Sequence, residues 1–394
     1  MSDDGVALGD PDFFAGACDD ALAVQRRTCP LRWHDDQKFW AVLRHADVVE
    51  VSRDPDRFCS SAGVLMGDRD RVVATGDSIL YLDPPLHGAR RKLVSRAFTP
   101  RRVAELEPRV RSLAVELLDA VNPSTPVDLV DAVTAPLPLL VIAELLGLPA
   151  EDRDDFRRWS DAIIEAATDL NDENALASLE LFAYVESHLD AREKAPGDDL
   201  LSALVQAEVD GERLSRADQL AFCMTLLVAG NETTRSLMTG GLLALADNPD
   251  QRAALVSDRS LVPGAVEEML RWVTPVMAFA RTATGATELG ATAVSAGDYL
   301  VMVYGAANRD EEVFGSGAGR FDITRSPNPH VAFGFGEHFC IGAPLARLEA
   351  RVLLDELLGR WPDYVVVGPV ERAPSTLVRQ VTRAPVLLAP NGTG

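Results

Sequence analysis

Apolar positions recur at helical spacing through the middle of the chain. Between residues 129 and 246 the pattern is almost wholly helical, and it predicts one continuous helix over 214–246. Ser215 is a candidate N-cap for that helix, with Asp218 three residues later. The helix would be roughly 45–50 Å long, and an apolar helix of that length has to run through the middle of the molecule. Shorter helices are predicted at 45–53, 90–98, 103–121 and 343–361.

The pattern changes after residue 271. Residues 276–304 alternate between apolar and polar positions, which is typical of short strands, and 38–43 also predicts a strand. Residues 305–332 are rich in glycine, asparagine, proline and aspartate and are predicted to be irregular. The order of elements predicts a mainly α, helix-rich α+β fold with small β-sheets. We expect a single domain over 1–394, with mixed strand and helix regions at about 30–80 and 275–394 and a helical region at about 90–272.

Composition excludes several protein classes. Hydrophobic residues make up 47% of the 394 residues and charged residues 25%, which is typical of a globular protein and not of a disordered, collagen-like or disulfide-rich chain. The net charge of −22 makes nucleic acid and anionic membranes poor partners. The five cysteines form no CxxC pair, which excludes zinc ribbons and c-type haem attachment. With no signal-peptide pattern and no apolar stretch of transmembrane length, we expect a cytoplasmic protein without membrane insertion.

The most informative segment is 333–349, FGFGEHFCIGAPLARLE. It places Cys340 on a glycine-rich loop directly before a predicted helix, where backbone N–H groups and the helix dipole favour a thiolate. Gly336 is suited to a positive φ, and Gly342 to a close approach of the backbone to a flat group. Two other interpretations are a buried structural cysteine and a nucleophilic cysteine with His338 as its base.

Polar residues interrupt the apolar pattern of the long helix at 229–234, which reads AGNETT. A helix kink would also explain them, because Gly230 weakens a helix and threonine hydroxyls bond the carbonyl four residues back. Two further pairs share a helix face by their spacing: Glu268 with Arg271, and His87 with Arg91. A surface ion pair is the simpler explanation of Glu268 and Arg271 taken alone.

The cysteine segment resembles the haem-binding signature of the cytochrome P-450 monooxygenases, Phe-x-x-Gly-x-x-x-Cys-x-Gly. The four fixed positions are Phe333, Gly336, Cys340 and Gly342. The resemblance implies that Cys340 is the proximal thiolate ligand of haem b iron, with Phe333 shielding the sulfur and the loop supplying N–H donors to it. It also implies a cytochrome P-450-type fold in which the long helix passes over the haem.

Residues 229–234 resemble the oxygen-binding helix of the same family, (Ala/Gly)-Gly-x-(Asp/Glu)-Thr-Thr. The resemblance implies that Ala229 and Gly230 leave room for dioxygen. It further implies that Thr233 hydrogen-bonds the bound dioxygen and that Glu232 feeds protons toward it. Asn231 makes this version similar to that of some actinobacterial lipid and sterol oxidisers.

The spaced pairs also resemble motifs of that family. Glu268 and Arg271 match its Glu-x-x-Arg motif, with Arg320 as the implied third member that helps to hold the cysteine loop. The family binds the haem propionates, which are carboxylates, through basic side chains. The residues that resemble those propionate partners are His87, Arg91, Arg281 and His338. Arg90 competes with Arg91, and the spacing to His87 favours Arg91.

The resemblance implies a soluble bacterial-type monooxygenase that uses dioxygen to hydroxylate or otherwise oxidise a lipophilic small molecule, such as a steroid, terpenoid, fatty acyl compound or polyketide. The chain has no dinucleotide-binding glycine motif in a βαβ context and no iron–sulfur cysteine set. Electrons would therefore come from a ferredoxin and an NAD(P)H-dependent ferredoxin reductase, docked at a basic patch near Cys340. By position in the family, the substrate pocket would include Val64, Met66, Leu226, Val276, Phe279 and Leu377.

Three other functions stay open at this point. The protein could be a peroxygenase driven by hydrogen peroxide, an oxidase of substrates tethered to a carrier protein, or a haem protein that senses or binds without turnover. The intact pair of Glu232 and Thr233 argues against the first and the last. Binding only of carrier-linked compounds would indicate the second.

Overall fold

Helices make up most of the fold. The computed structural model describes residues 6–16, 18–69, 71–72, 78–95, 98–152, 154–156, 158–159, 172–209 and 211–389. The α-helices of this part of the chain are Pro11–Ala15, Cys18–Thr28, His45–Arg53, Leu86–Ser95, Pro100–Asp119, Pro136–Leu146, Asp172–Lys194, Leu200–Val205, Arg216–Asp247, Pro249–Ser257, Val262–Val273, Tyr304–Ala307, Glu311–Phe314 and Ala343–Arg360. A π-helical turn, Val130–Thr134, precedes the sixth of them.

The helix Arg216–Asp247, called the central helix below, has 32 residues and confirms the long helix predicted over 214–246. Its start is fixed by a capping box. Ser215 Oγ accepts a hydrogen bond from the Asp218 backbone N–H (3.1 Å), and the Asp218 carboxylate accepts one from the Ser215 N–H (3.3 Å). The next helix begins at Pro249, whose ring prevents the central helix from continuing.

Two glycines let the central helix pack closely against the helix Val262–Val273. A Cβ added at Gly241 would lie 2.0 Å from Met269 Cε, and one added at Gly240 would lie 2.8 Å from Val273 Cγ2. Because real Cβ contacts are not that short, a side chain at either position would force Met269 or Val273 to shift. The close contact joins the central helix to the helix that carries Glu268 and Arg271.

A five-stranded sheet packs beside the helical core. Its strands, in spatial order, are Leu31–His34, Phe39–Val42, Tyr299–Val303, Ala278–Ala283 and Phe58–Cys59. The strand Tyr299–Val303 runs antiparallel to Ala278–Ala283 and pairs Leu300 with Arg281. Arg281 therefore lies next to Leu300, and the residue after Val303 lies at the other end, where Ala278 begins the neighbouring strand. The fold is thus the helix-rich α+β arrangement predicted from the sequence.

The remaining strands form small sheets. The strands Val127–Asp128, Pro385–Leu387 and Val365–Val366 form one of them, and three two-stranded pairs complete the set: Glu208–Val209 with Glu212–Arg213, Thr287–Leu289 with Thr292–Val294, and Glu371–Arg372 with Val381–Arg383. The helix predicted at 90–98 begins earlier, at Leu86, and its residues 96–97 lie outside the described part. The region predicted to be irregular, 305–332, contains the short helix Glu311–Phe314.

Candidate active site

A cavity of about 1440 Å³, part of which opens to solvent, lies between the central helix, the strand Ala278–Ala283 and the segment before the helix Ala343–Arg360. Most of its wall consists of apolar side chains. Its polar groups come mainly from the cysteine loop (333–342), from a cluster of basic side chains and from the central helix. A cavity with an apolar wall and a few convergent polar groups is the usual form of a small-molecule site.

The cysteine loop is shaped by two glycines. Gly334 has a φ of 70° and Gly336 a φ of 73°, a conformation that side-chain-bearing residues rarely adopt. A Cβ at Gly336 would also lie 2.1 Å from the Ser52 carbonyl oxygen, so only glycine fits there. The loop closes through a hydrogen bond from the Cys340 N–H to the Phe333 carbonyl (2.9 Å). Cys340 therefore lies just before the helix Ala343–Arg360, as the sequence predicts.

The thiol of Cys340 lines the cavity. The Cys340 side chain is exposed only to the cavity and not to the outer surface of the protein. Its surroundings are therefore those of a buried group, and burial raises the pKa of the thiol. The N–H groups of Gly342 and Ala343 and the charge of Arg91 oppose this rise without reversing it. The N–H groups before the helix thus act in the expected direction, but burial of the thiol outweighs them. A positive charge such as a metal ion at Sγ is needed to stabilise the thiolate.

Four basic side chains, His87, Arg91, Arg281 and His338, converge on one side of the cavity. The two imidazole rings lie 4.0 Å apart. Burial, followed by the nearby arginine charges, lowers the pKa of His87 to about 4 and that of His338 to about 2. Neither Arg91 nor Arg281 has an acidic partner within ion-pair distance among the described residues. Such a cluster favours an anionic ligand.

A metal ion is a poorer fit to this cluster. The ligand atoms of His87, Glu337 and His338 lie within 4.8 Å of one another, which is compatible with metal binding. However, the guanidinium groups of Arg91 and Arg281 are close enough to lower the pKa of His338, and they would repel a cation. A carboxylate satisfies the same donors and also neutralises the arginines.

The central helix passes the cavity at residues 229–234. Ala229, Gly230, Thr233 and Thr234 line the wall. Thr233 Oγ1 donates a hydrogen bond to the Ala229 carbonyl (2.6 Å), which is the contact expected from the helix-kink interpretation. Glu232 is not part of the wall and instead pairs with Arg235, with 2.5 Å between Oε1 and Nη2. The hydroxyl thus reaches the cavity while the carboxylate is held beside it.

Comparison with known proteins identifies the family. A model of the cytochrome P-450 family matches residues 173–362. A methyl-branched lipid omega-hydroxylase of Mycobacterium tuberculosis is 40% identical over 405 residues, which cover 97% of this chain and 94% of the relative. The chain belongs to the cytochrome P-450 family. Members of this family bind haem b through a cysteine thiolate, so this P-450 is a haem-dependent monooxygenase.

Other relatives of this P-450 agree. A steroid C26-monooxygenase of Mycolicibacterium smegmatis is 39% identical over 372 residues, covering 90% of this chain and 86% of the relative. The structure of cytochrome P-450 CYP109Q5 from Chondromyces apiculatus aligns with a TM-score of 0.87 at 40% identity, covering 97% of both chains. CYP109E1 from Bacillus megaterium, solved with testosterone, aligns with a TM-score of 0.86 at 33% identity, covering 94% of this chain and 99% of its own.

Haem b fits the cavity of this P-450. The porphyrin is a large flat apolar group with two carboxylates, and the cavity offers an apolar wall, a thiol on the cysteine loop and a basic cluster. The two arginines of that cluster have no acidic partner among the described residues, whereas His338 lies 3.4 Å from the Glu337 carboxylate. The buried Arg281 illustrates the match, because Nη1 donates to the Ala280 carbonyl (2.7 Å) and no described carboxylate lies within ion-pair distance. The described part of the chain has no helix that is long and apolar enough to cross a membrane.

The Glu-x-x-Arg pair is buried at the base of this P-450 core. The Arg271 guanidinium donates to both carboxylate oxygens of Glu268 (2.7 and 2.8 Å), and both side chains are fully buried. The predicted third member, Arg320, is wrong as a side-chain partner. Arg325 Nε donates to Glu268 Oε2 (3.0 Å), whereas Arg320 has an exposed side chain and offers its carbonyl to Arg271 and Arg325. The chain bends so that Arg325, not Arg320, faces Glu268.

Four of the predicted substrate-pocket residues, Val64, Leu226, Val276 and Phe279, line the cavity. Met66 and Leu377 do not. Met66 packs against the apolar cluster behind the sheet, and the Leu377 carbonyl accepts a hydrogen bond from the Met277 N–H (2.7 Å). Val64 is held in the wall by a hydrogen bond from the Ala280 N–H to its carbonyl (2.7 Å). Residues 70 and 73–77 of the same loop lie outside the described part.

Sequence reasoning missed several residues of this P-450 site. Arg235 carries a usable signal, because it is three positions after Glu232 on the same helix. No sequence pattern points to Arg325 or Tyr304. Both meet their site neighbours only through the folding of segments that are far apart in the chain. Further wall residues that were not predicted are Ile79, Leu80, Val94, Phe222, Thr225, Leu237, Leu270, Pro275, Tyr304 and Ala332.

Proposed function

We propose that this P-450 hydroxylates a large lipophilic molecule of the lipid or steroid class, with dioxygen as the oxygen source. The observation that carries the proposal is the apolar cavity, in which Cys340 and Thr233 share one space with Val64, Val276 and Phe279. The names of two relatives, a methyl-branched lipid omega-hydroxylase and a steroid C26-monooxygenase, support the substrate class, as does the testosterone complex of CYP109E1.

In this proposal Cys340 is the ligand of the haem iron, and His87, Arg91, Arg281 and His338 hold the haem carboxylates. When bound, haem b activates dioxygen so that one oxygen atom enters a C–H bond of the substrate. Ala229 and Gly230 leave space beside the central helix, because neither has a side chain larger than a methyl group. Phe333, with Arg347 4.6 Å from its ring centroid, covers the cysteine loop and keeps water from the sulfur.

Thr233 and Glu232 supply protons in this proposal. The Thr233 hydroxyl is at the cavity wall, where it can donate to an oxygen atom once it releases the Ala229 carbonyl. After its carboxylate leaves Arg235, Glu232 takes up a proton from a solvent water molecule and passes it on to replace the one lost by Thr233. The apolar wall excludes bulk water, so protons reach the site mainly through these two groups.

We also propose that electrons come from a ferredoxin with an NAD(P)H-dependent reductase, that the protein works in the cytoplasm, and that its cysteines stay reduced. All five cysteines are free, which agrees with a reducing compartment. The arginines near the cysteine loop are partly neutralised: Arg347 pairs with Glu267, and Arg351 pairs with Glu107. A ferredoxin would therefore dock by exchanging some of these pairs, and the reduction rate would fall as salt increases.

The test uses the haem-loaded protein with a surrogate ferredoxin, its reductase and NADPH. Testosterone and a methyl-branched fatty alcohol serve as probes under isotopically labelled dioxygen. We expect a hydroxylated product that carries one labelled oxygen atom with at least one of the two probes. The same product formed equally well with hydrogen peroxide and no ferredoxin would favour the peroxygenase. No product from either probe, in protein with a normal haem spectrum, would contradict the proposed substrate class.

A further inference from the structure

Tyr304 is a buried tyrosine on the cavity wall that the proposed function does not use. It directly follows the strand Tyr299–Val303, and only 3% of its surface is exposed. Its ring meets that of Phe279 edge-on, with the centroids 6.3 Å apart. Val303 pairs with Ala278, so Tyr304 lies at the start of the strand that carries Arg281, and both side chains line the cavity.

The hydroxyl of Tyr304 differs from those of the other tyrosines. The chain has five tyrosines, and four of them donate a hydrogen bond of 2.5–2.7 Å: Tyr81 to Asp68, Tyr184 to Asp152, Tyr299 to the Leu65 carbonyl and Tyr364 to the Leu242 carbonyl. Tyr304 lines the cavity, and its Oη makes no hydrogen bond within the described part of the chain. Because a buried phenol normally finds a partner, this group is missing an acceptor.

The surroundings of Tyr304 indicate what that acceptor is. Burial raises the pKa of the Tyr304 phenol and the charge of Arg281 only opposes this rise, so the hydroxyl stays protonated and can donate. Arg281 itself is buried without an acidic partner in the described part of the chain. A Cβ at Gly334 would lie 3.9 Å from Tyr304 Oη, so the hydroxyl is next to the cysteine loop. An anionic acceptor between Tyr304 and Arg281 would satisfy both groups.

We propose that Tyr304 Oη donates a hydrogen bond to a carboxylate of the bound haem, which it shares with Arg281. Tyr304 is then a cofactor-binding residue in addition to His87, Arg91 and His338. This inference rests on the proposed assignment of the cavity to haem. A substrate group is a poorer acceptor, since the hydroxyl lies next to the cysteine loop and the positive charge of Arg281 favours an anion in the same cavity.

Tyr304→Phe tests the inference because it removes the hydroxyl and keeps the ring. The haem-loaded proteins are mixed with excess haem-free myoglobin, and the rate of haem transfer is followed by absorbance. We expect Tyr304→Phe to lose haem about three- to tenfold faster than the wild type, the effect of one hydrogen bond to a charged group. The reduction potential should also change, because a donor to the carboxylate is lost. The carbonyl spectrum should remain that of a thiolate-ligated haem.

Tyr299→Phe is the matched control. Tyr299 is equally buried at the other end of the same strand, but its hydroxyl donates to the Leu65 carbonyl, away from the cysteine loop. We expect its haem-transfer rate to equal that of the wild type. An unchanged rate and potential in Tyr304→Phe, or a change confined to the affinity for testosterone, would overturn the inference. Wild-type protein without a thiolate-type haem spectrum would instead refute the proposed function, a result seen before any variant is compared.

Discussion

Glu232 Oε1 lies 2.5 Å from Arg235 Nη2 within the central helix, and only 8% and 10% of the two side-chain surfaces are exposed. Thr233, between them in sequence, faces the cavity instead. The ion pair therefore holds the carboxylate beside the cavity, and proton supply through Glu232 requires the pair to open or water to bridge the gap. Arg235 is thus one contact that positions the Glu232 carboxylate.

Removal of the Glu232 carboxylate should uncouple the reaction. A general acid–base group contributes about 10²–10⁴-fold to the rate of proton transfer, so we expect Glu232→Gln to form at least about tenfold less product per NADPH consumed. The measurement is product against NADPH with the surrogate ferredoxin. Glu186→Gln, an exposed carboxylate on the helix Asp172–Lys194, should behave as the wild type. Equal coupling in the two variants would show that Glu232 does not supply protons.

The ion pair between Arg325 and Glu268 should contribute to stability. Arg325 is buried against Glu268, whereas the Arg320 side chain is exposed. Breaking a buried ion pair costs about 3–5 kcal/mol, and an exposed substitution usually stays within about 0.5 kcal/mol. We therefore expect Arg325→Met to lower the free energy of unfolding by about 3 kcal/mol and Arg320→Met to leave it unchanged. Denaturant titration measures the stability of the two variants. A larger loss in Arg320→Met than in Arg325→Met would show that Arg320 is the third member of the cluster.

Val64 and Met66 belong to the same loop but have different positions relative to the cavity. Val64 lines the cavity and Met66 does not. A larger side chain at Val64 should fill substrate space, so we expect Val64→Phe to weaken testosterone binding about tenfold, or about 1.4 kcal/mol. Met66→Phe is the control and should leave the affinity unchanged. The measurement is the shift of the haem absorbance during titration. Equal effects of the two variants would place the substrate elsewhere.

Glu349 should make stability depend on pH. It lies on the helix Ala343–Arg360, its Oε2 has no partner among the described residues, and burial raises the pKa of its carboxyl from 4.5 to about 8. Between these values the folded state holds one more proton than the unfolded state. The contribution of Glu349 to stability therefore falls by up to about 1.4 kcal/mol per pH unit as the pH rises through this window.

Glu349→Gln removes this titration and keeps the shape of the side chain. We expect the variant to gain stability over the wild type steadily from pH 5 to pH 8, measured by denaturant unfolding. The exposed variant Glu186→Gln should show no such trend. A constant difference between Glu349→Gln and the wild type across this range would show that the carboxyl is already ionised at pH 5.

Local patterns predicted what depends on neighbours in sequence. The capping box of Ser215 and Asp218, the position of Cys340 before its helix and the pairing of Glu268 with Arg271 all follow from short spacings. Contacts that join distant segments were not predictable in this way. Arg325 reaches Glu268 across 57 residues of sequence, and no spacing distinguishes it from Arg320.

The cysteine loop shows a second limit. The helix N-terminus correctly indicated a special environment for Cys340, but the sequence could not weigh its N–H groups against burial. Which of Val64 and Met66 faces the cavity depends likewise on long-range hydrogen bonds to this loop, from the Ala280 N–H and the Tyr299 hydroxyl, which pattern alone does not reveal. Sequence spacing predicts which side chains are candidates for the site, and tertiary packing determines which of them contact one another or the cavity.

The most direct test of the account is the carbon monoxide difference spectrum of the reduced protein. We predict a strongly red-shifted carbonyl band in the wild type and its loss in Cys340→Ser. Cys59→Ser, a free cysteine on the strand Phe58–Cys59, should keep the band. A carbonyl band of the imidazole type in freshly purified wild-type protein, or an unchanged band in Cys340→Ser, would show that Cys340 is not the iron ligand and would contradict the account.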